Sequence, residues 1–250
     1  MLRVLKIAVI CVASTTTLSG CSIASSTANP PTSVAPEQSP ATVRAPFRAT
    51  GNEPSWRLDI GNTEMTLLTN FGQDRLVAAT PKAQVSGGTT RYAARTDRGE
   101  LTVTIVDQLC VDSMSGMPHP HAVTVVAGGQ TLTGCGGEPA SLLQGAEWTV
   151  AEIDGKPLVA GSQVTLAFAP DGHLSGHASC NRFMSGYTLS GEGLAIAELA
   201  GTRMMCDAAL MDQERTFLAA LGSVQNFSIA ADGALLLRTG DGRTILARRH

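Results

Sequence analysis

The sequence predicts an α+β fold dominated by strands: two small β-rich domains, each a rolled antiparallel sheet, the second with one packed helix. Three observations carry this. Leu101, Val103 and Ile105 alternate with polar residues, the cleanest of several period-2 runs. Only the stretch around Leu210, Met211, Glu214, Phe217, Leu218 and Leu221 has helical spacing. Beyond Cys21, four of the six cysteines fall as two pairs, Cys110 with Cys135 and Cys180 with Cys206, one pair in each of these domains.

Residues 1–20 read as an export signal. Arg3 and Lys6 precede an apolar run from Ile7 to Ala13, far short of the roughly 20 residues that a bilayer span requires. Leu18-Ser19-Gly20-Cys21 resembles the bacterial lipobox. That resemblance implies cleavage before Cys21 and acylation of that cysteine, with several acyl chains at about 0.8 kcal/mol per buried methylene. Ser22, rather than Asp, in the next position implies the outer membrane, facing the periplasm. The expected partners are therefore the membrane, through the lipid, and an envelope protein. From Ser22 to Ala45 the chain is Ser, Thr, Ala and Pro with little charge, a composition that predicts a disordered linker after the lipidated cysteine.

Removing residues 1–20 takes away two basic side chains and no acid, leaving 16 basic against 21 acidic. Basic residues are scattered, with one terminal pair at Arg248-Arg249, which argues against a nucleic acid partner. No Gly-x-Gly-x-x-Gly or Walker sequence is present, and no cofactor is expected.

The first β-rich domain is expected over residues 46–140. Trp56, Leu58 and Ile60 alternate, and Val123 and Val125 are expected to face Thr131 and Thr133 across Gly128-Gly129 as a hairpin. The second runs over residues 142–250. Strands are expected from Trp148 and from Val164 to Phe168, with a tight turn at Asp171-Gly172. Tyr187 and Leu189 should pair with Leu194 and Ile196, and Asp207 should cap the helix. An even cysteine count in an exported chain points to disulfides, here one per domain. Each would close a loop of about 25 residues and stabilise by roughly 3 to 3.5 kcal/mol. A zinc site is the competing reading, but neither pair has the short ligand spacing that zinc wants.

In the second half Trp148-Thr-Val, Asp154-Gly155, Ser175-Gly176, Cys180-Asn181-Arg182-Phe183, Gly186-Tyr187 and Thr202-Arg203-Met204-Met205-Cys206 resemble the META domain, or HslJ-like, family. The resemblance implies a compact β-rich fold with a helix, an association with heat-shock and antibiotic-stress responses, and no established catalytic residue. Gly51-Asn52-Glu53-Pro54-Ser55-Trp56, Cys110 to Gly116 and Gly134 to Gly137 look like an uncharacterised family of bacterial envelope proteins.

His119 and His121 stand near Asp112, Ser113 and Ser115, superficially an acid, base and hydroxyl set. Ser113-Met-Ser115-Gly116 is not a nucleophile elbow, and the competing reading is a hydrogen-bonded turn beside a disulfide. His173 and His177 lie on a strand, where residues four apart are roughly 13 Å apart, too far for one metal ion. Asn181, Arg182, Thr202 and Arg203 flank the second disulfide and could form a binding patch. The alternative has Asn181 in an unusual backbone conformation and the arginines paired with Glu198 or Glu214. Glu53, Trp56, Asp112 and Ser113 form the corresponding set in the first domain, with Trp56 read as core. The expected function is a non-catalytic envelope lipoprotein supporting envelope integrity or stress tolerance. The alternatives are a binding or inhibitor module against an envelope-degrading enzyme, and a hydrolase using Ser113 and a nearby histidine.

Overall fold

A computed structural model describes residues 46–249. The export signal, Cys21 and the linker expected up to Ala45 lie outside them. The chain is mainly β, with two rolled antiparallel sheets and one substantial helix, as the alternation and the single helical run predict.

The first sheet uses β1 Phe47–Asn52, β2 Ser55–Ile60, β3 Glu64–Thr69, β4 Asp74–Ala79 and β5 Gln84–Ser86. It continues with β6 Thr89–Thr96 and β7 Gly99–Val106. A small two-stranded flap, β8 Cys110–Val111 and β9 Pro118–His119, interrupts it before β10 His121–Ala127 and β11 Gln130–Gly136. The strand order is β4-β3-β2-β1-β11-β10-β7-β6-β5, and β4 comes round against β6, so the sheet rolls almost shut. Alternation decides which side chains go inside. Trp56, Leu58 and Ile60 are buried with Leu101, Val103, Ile105, Val123 and Val125. The expected hairpin at Gly128-Gly129 exists, but its register is one residue from that expected: Val123 faces Gly134 and Val125 faces Leu132. Gly134 is required there, because a Cβ at that position would sit 2.0 Å from the Thr50 carbonyl oxygen and 2.8 Å from the Trp56 ring. Packing of the indole therefore sets the register where the pattern of apolar residues alone left it open.

A one-turn helix, α1 Ala140–Leu143, leads into the second sheet. Its strands are β12 Trp148–Ile153, β13 Lys156–Pro157, β14 Thr165–Phe168, β15 His173–His177, β16 Arg182–Ser190, β17 Gly193–Ile196 and β18 Ala200–Gly201. Helix α2 Ala208–Leu221 follows, then β19 Val224–Ile229, β20 Leu235–Thr239 and β21 Thr244–Arg248. The main path is β17-β16-β15-β14-β12-β21-β20-β19, and β17 returns against β19. Tyr187 faces Ile196 and Leu189 faces Leu194, as the sequence suggests. Helix α2 buries Phe217, Ala220 and Leu221 against the sheet. Asp207 occupies its N-cap position without a side-chain capping bond, so the cap is made by backbone alone. No helix among the described residues is long and apolar enough to cross a membrane.

The two sheets are joined by more than a peptide. Met117, at the base of the β8–β9 flap, is buried in the hydrophobic cluster of the second sheet, so the first half contributes a side chain to the core of the second. Arg249 works from the other end. Its guanidinium donates to the carbonyls of Leu143, Gln144 and Ala146 and lies 3.8 Å above the Trp148 ring, while Trp148 Nε1 donates to the Leu143 carbonyl at 2.8 Å. Read from sequence, Arg248-Arg249 is a terminal basic pair. In the structure Arg249 is a clamp on the connection between sheets, and its partial burial lowers its pKa from the usual arginine value.

Candidate functional site

Cys110 and Cys135 are joined, as are Cys180 and Cys206, with Cα separations of 5.4 and 6.0 Å. Each bridge organises one polar cluster.

At the first, the Cys110–Cys135 bond ties the flap to β11 and places Asp112 beside the end of β1. Asp112 Oδ1 accepts the amides of Met114 and Ser115 at 3.1 and 2.7 Å and the Ser115 hydroxyl at 2.7 Å. Its Oδ2 accepts Asn52 Nδ2 at 2.8 Å, and the same amide group donates to Ser113 Oγ at 3.0 Å. Burial acts to raise the carboxyl pKa, but the bonds from Ser115, Asn52 and Met114 outweigh it and hold the group down to about 2. This is the hydrogen-bonded turn considered from sequence, with Asn52 as a partner that sequence distance concealed. Neither histidine joins it. His119 Nδ1 donates to the Gly137 carbonyl at 2.9 Å. His121 Nδ1 stands 3.0 Å from Asp107 Oδ1 without hydrogen-bond alignment, and its ring packs on Phe47. Ser113 and Ser115 therefore have no hydrogen-bonded histidine among the described residues. Glu53 is exposed at the β1–β2 turn, and Trp56 is buried, its Nε1 donating to the Thr133 carbonyl at 3.1 Å.

The same flap forms one side of a cleft of about 780 Å³. Asn52, Trp56 and Arg57 reach it from the first sheet, and Asp112 and His119 from the flap. Glu138 to Ala140 supply its floor, and Leu189, Ser190 and Gly191 enter from the β16–β17 turn. Phe71 stands at its rim, 87 % exposed. Asn70 and Phe71 both have positive φ, 50° and 55°, ahead of Gly72 at 84°. Two successive non-glycine residues in the left-handed region cost energy that the surroundings must supply, a feature concentrated at ligand clamps. Nothing in the alternation or cysteine spacing marks Phe71. Asn-Phe-Gly reads as a turn, and its exposure is a property of the folded chain.

At the second bridge Glu214 of α2, nearly buried, accepts the amides of Cys180 and Asn181 at 3.2 and 2.7 Å and Asn181 Nδ2 at 3.0 Å. Asn181 Oδ1 accepts the Thr202 hydroxyl at 2.8 Å and the Met204 amide at 2.7 Å. Two sequence expectations are corrected here. The unusual backbone angle belongs to Ser179, φ 91°, because the turn before β16 bends there and leaves Asn181 free to hold the network. Arg182 and Arg203 are exposed and ion-pair with neither Glu198 nor Glu214, since Glu214 is spent on the amides. His173 and His177 sit on β15, and no group of three histidine, cysteine or acidic side chains suited to a metal occurs among the described residues.

Residues 141–250 match the family described as the META domain. Among solved structures, an NMR structure of a protein from Burkholderia xenovorans is 25% identical, covering 44% of this chain and 86% of its own, with a TM-score of 0.38. A second NMR structure is 27% identical, covering 43% and 92%, with a TM-score of 0.36. Among curated proteins none matches the sequence. The second sheet with α2 lies within the residues that match the META domain.

Proposed function

We propose that this protein is an envelope lipoprotein, of the HslJ-like type, that acts by recognition and not by turnover, supporting the integrity of the bacterial surface under stress. The observation that carries this reading is the cleft between the sheets. A concave site with apolar walls and a few placed polar groups is the common form of a ligand site, and an aromatic held at its rim adds a contact at low entropic cost. Around it Asp112, Ser113 and Asn52 are tied to one another, a constellation suited to holding a shape. The META match supports an envelope or stress role in general terms.

Gly191 provides the test. It borders the cleft, and a side chain added there meets nothing within 4 Å. Gly191→Trp should fill the cleft without disturbing the fold: an unchanged thermal midpoint with lost complementation of a deletion strain under envelope stress. Full complementation by a folded Gly191→Trp chain removes the cleft from the function. The lipid anchor is tested separately, since Cys21→Ser should leave a chain that a carbonate wash strips from membranes.

A further inference from the structure

The corner fixed by the second disulfide presents side chains that the network beneath it does not use. Arg182 and Met184 lie on the outward face of β16, opposite Thr202 and Ala200, and the chain continues through Arg203, Met204 and Met205 to Cys206. Met184 is 65 % exposed, Met204 57 % and Met205 92 %. Three methionines and two arginines thus occupy neighbouring outward positions. The acids nearest Arg203 along the chain, Glu198 and Asp207, form no ion pair with either arginine.

Their backbone is held tightly. Thr202 N donates to the Arg182 carbonyl at 3.0 Å, Arg182 N to Thr202 Oγ1 at 3.2 Å and Met204 N to Asn181 Oδ1 at 2.7 Å, while Cys206 is bridged to Cys180. A buried glutamate, a buried asparagine and a disulfide therefore fix a loop whose largest apolar side chains face outward. Clustered exposed apolar surface of this kind marks a contact with something else.

We propose that this corner docks on an anionic phospholipid surface, the arginines pairing with headgroup phosphates and the methionines entering the boundary with the acyl chains. The charge selects the occupant: two guanidinium groups without an ion-pair partner among the described residues stand on a chain that is acidic overall. The side-chain types select it too. Methionine and arginine are among the most costly side chains to immobilise, and a fluid lipid interface, unlike a packed protein face, leaves them mobile. The hollow beside the patch measures only about 40 Å³, too small for a ligand of any size. The proposal goes beyond the recognition reading and requires neither the cleft nor the lipid on Cys21.

The test uses the chain from Ser22 onward, oxidised, with neither the apolar leader nor acyl groups to carry it to lipid. It should float with phosphatidylethanolamine vesicles containing phosphatidylglycerol, and weakly or not at all with pure phosphatidylcholine. Arg182→Glu and Arg203→Glu should each weaken flotation at least about fivefold, from the contribution of one arginine near an anionic surface. Met204→Ser with Met205→Ser should weaken what remains at high salt. All four positions are exposed, so the thermal midpoint should hold, and Arg91→Glu on the first sheet should leave flotation unchanged. Absence of flotation, or flotation indifferent to the four substitutions, overturns the proposal. So does displacement by millimolar inorganic phosphate, which would mark a simple anion site, or capture of an envelope protein through these residues by a chain that ignores vesicles.

Discussion

Replacing Glu214 by alanine tests whether the polar network, rather than the helix face alone, holds α2 to the second sheet. The carboxylate accepts three bonds, two from the backbone amides of Cys180 and Asn181 and one from the Asn181 side chain. The backbone donors cannot turn elsewhere, because the Cys180–Cys206 bridge and the pairing of β16 with β15 fix their chain. Each buried donor left unpaired costs about 1–3 kcal/mol, and removing one member of a buried charged network costs about 3–5 kcal/mol in total. Alanine recovers only a few tenths through its better helix propensity. Glu214→Gln keeps one acceptor oxygen but turns an NH2 toward a donor, and should cost about half as much. At about 2–4 °C per kcal/mol for a unit of this size, Glu214→Ala should lower the thermal midpoint by about 10 °C or more. The assay is urea unfolding of the oxidised protein, followed by far-ultraviolet circular dichroism, with Asn181→Ala alone and combined. The double variant should lose at least about 1 kcal/mol less than the sum of the singles. Glu214→Ala within 1 kcal/mol of wild type, or simple additivity with Asn181→Ala, would refute the network as the fastening.

Arg249→Lys should destabilise by about 2 kcal/mol although it keeps the charge, since a lysine cannot reach three carbonyls and stack on Trp148 together; chemical denaturation against wild type reads the loss. Met117→Ala should cost about 2 kcal/mol or more by leaving a cavity in the core of the second sheet, and should resolve one unfolding transition into two in a calorimetric scan as the sheets uncouple. Asp112 has its folded pKa lowered to about 2 from 3.8, so its stabilisation is present above about pH 4 and lost as pH falls through about 2. Asp112→Asn should therefore cost about 1 kcal/mol near neutrality, after discounting for solvent screening at a half-exposed group, and the gap to wild type should close in acid titrations.

The strands were legible because a rolled sheet with one wet face writes its burial into alternate residues. Leu101, Val103 and Ile105 are fully buried, and the strand that carries them lies between two others. The helix was legible for the same reason at a different period. Register was less so at β10 and β11, where Thr131, Thr133 and Gly134 give no apolar pattern to choose a frame and the approach of Trp56 to a glycine decides it. Disulfide pairing followed from which cysteines fall within the same expected domain. Glu214 was visible as a polar residue on an apolar helix face, but its partners are amides 33 and 34 residues away, and backbone donors leave no mark in a sequence.

What pattern reasoning misses most is the junction. Met117 sits in a segment with no period at all, yet it is buried in the other sheet's core, and Arg249 looks like part of a basic tail until its carbonyl partners are seen. Both are single side chains acting across the connection between two sheets, where neither alternation nor helical spacing applies. Their joint effect bears on the cleft. Its walls belong to the first sheet, to the β16–β17 turn and to the connection at Glu138 to Ala140, so its shape persists only while the flap stays docked and the connection stays clamped. Cys110–Cys135 secures the flap, Met117 anchors its base, and Arg249 holds the segment directly after the floor. If recognition uses this cleft, Met117→Ala and Arg249→Lys should reduce it without touching a ligand, and they should do so in proportion to the uncoupling of the two unfolding transitions. A variant that uncouples the sheets yet complements the deletion fully would separate the cleft from the function, and would turn attention to the surfaces of each sheet alone.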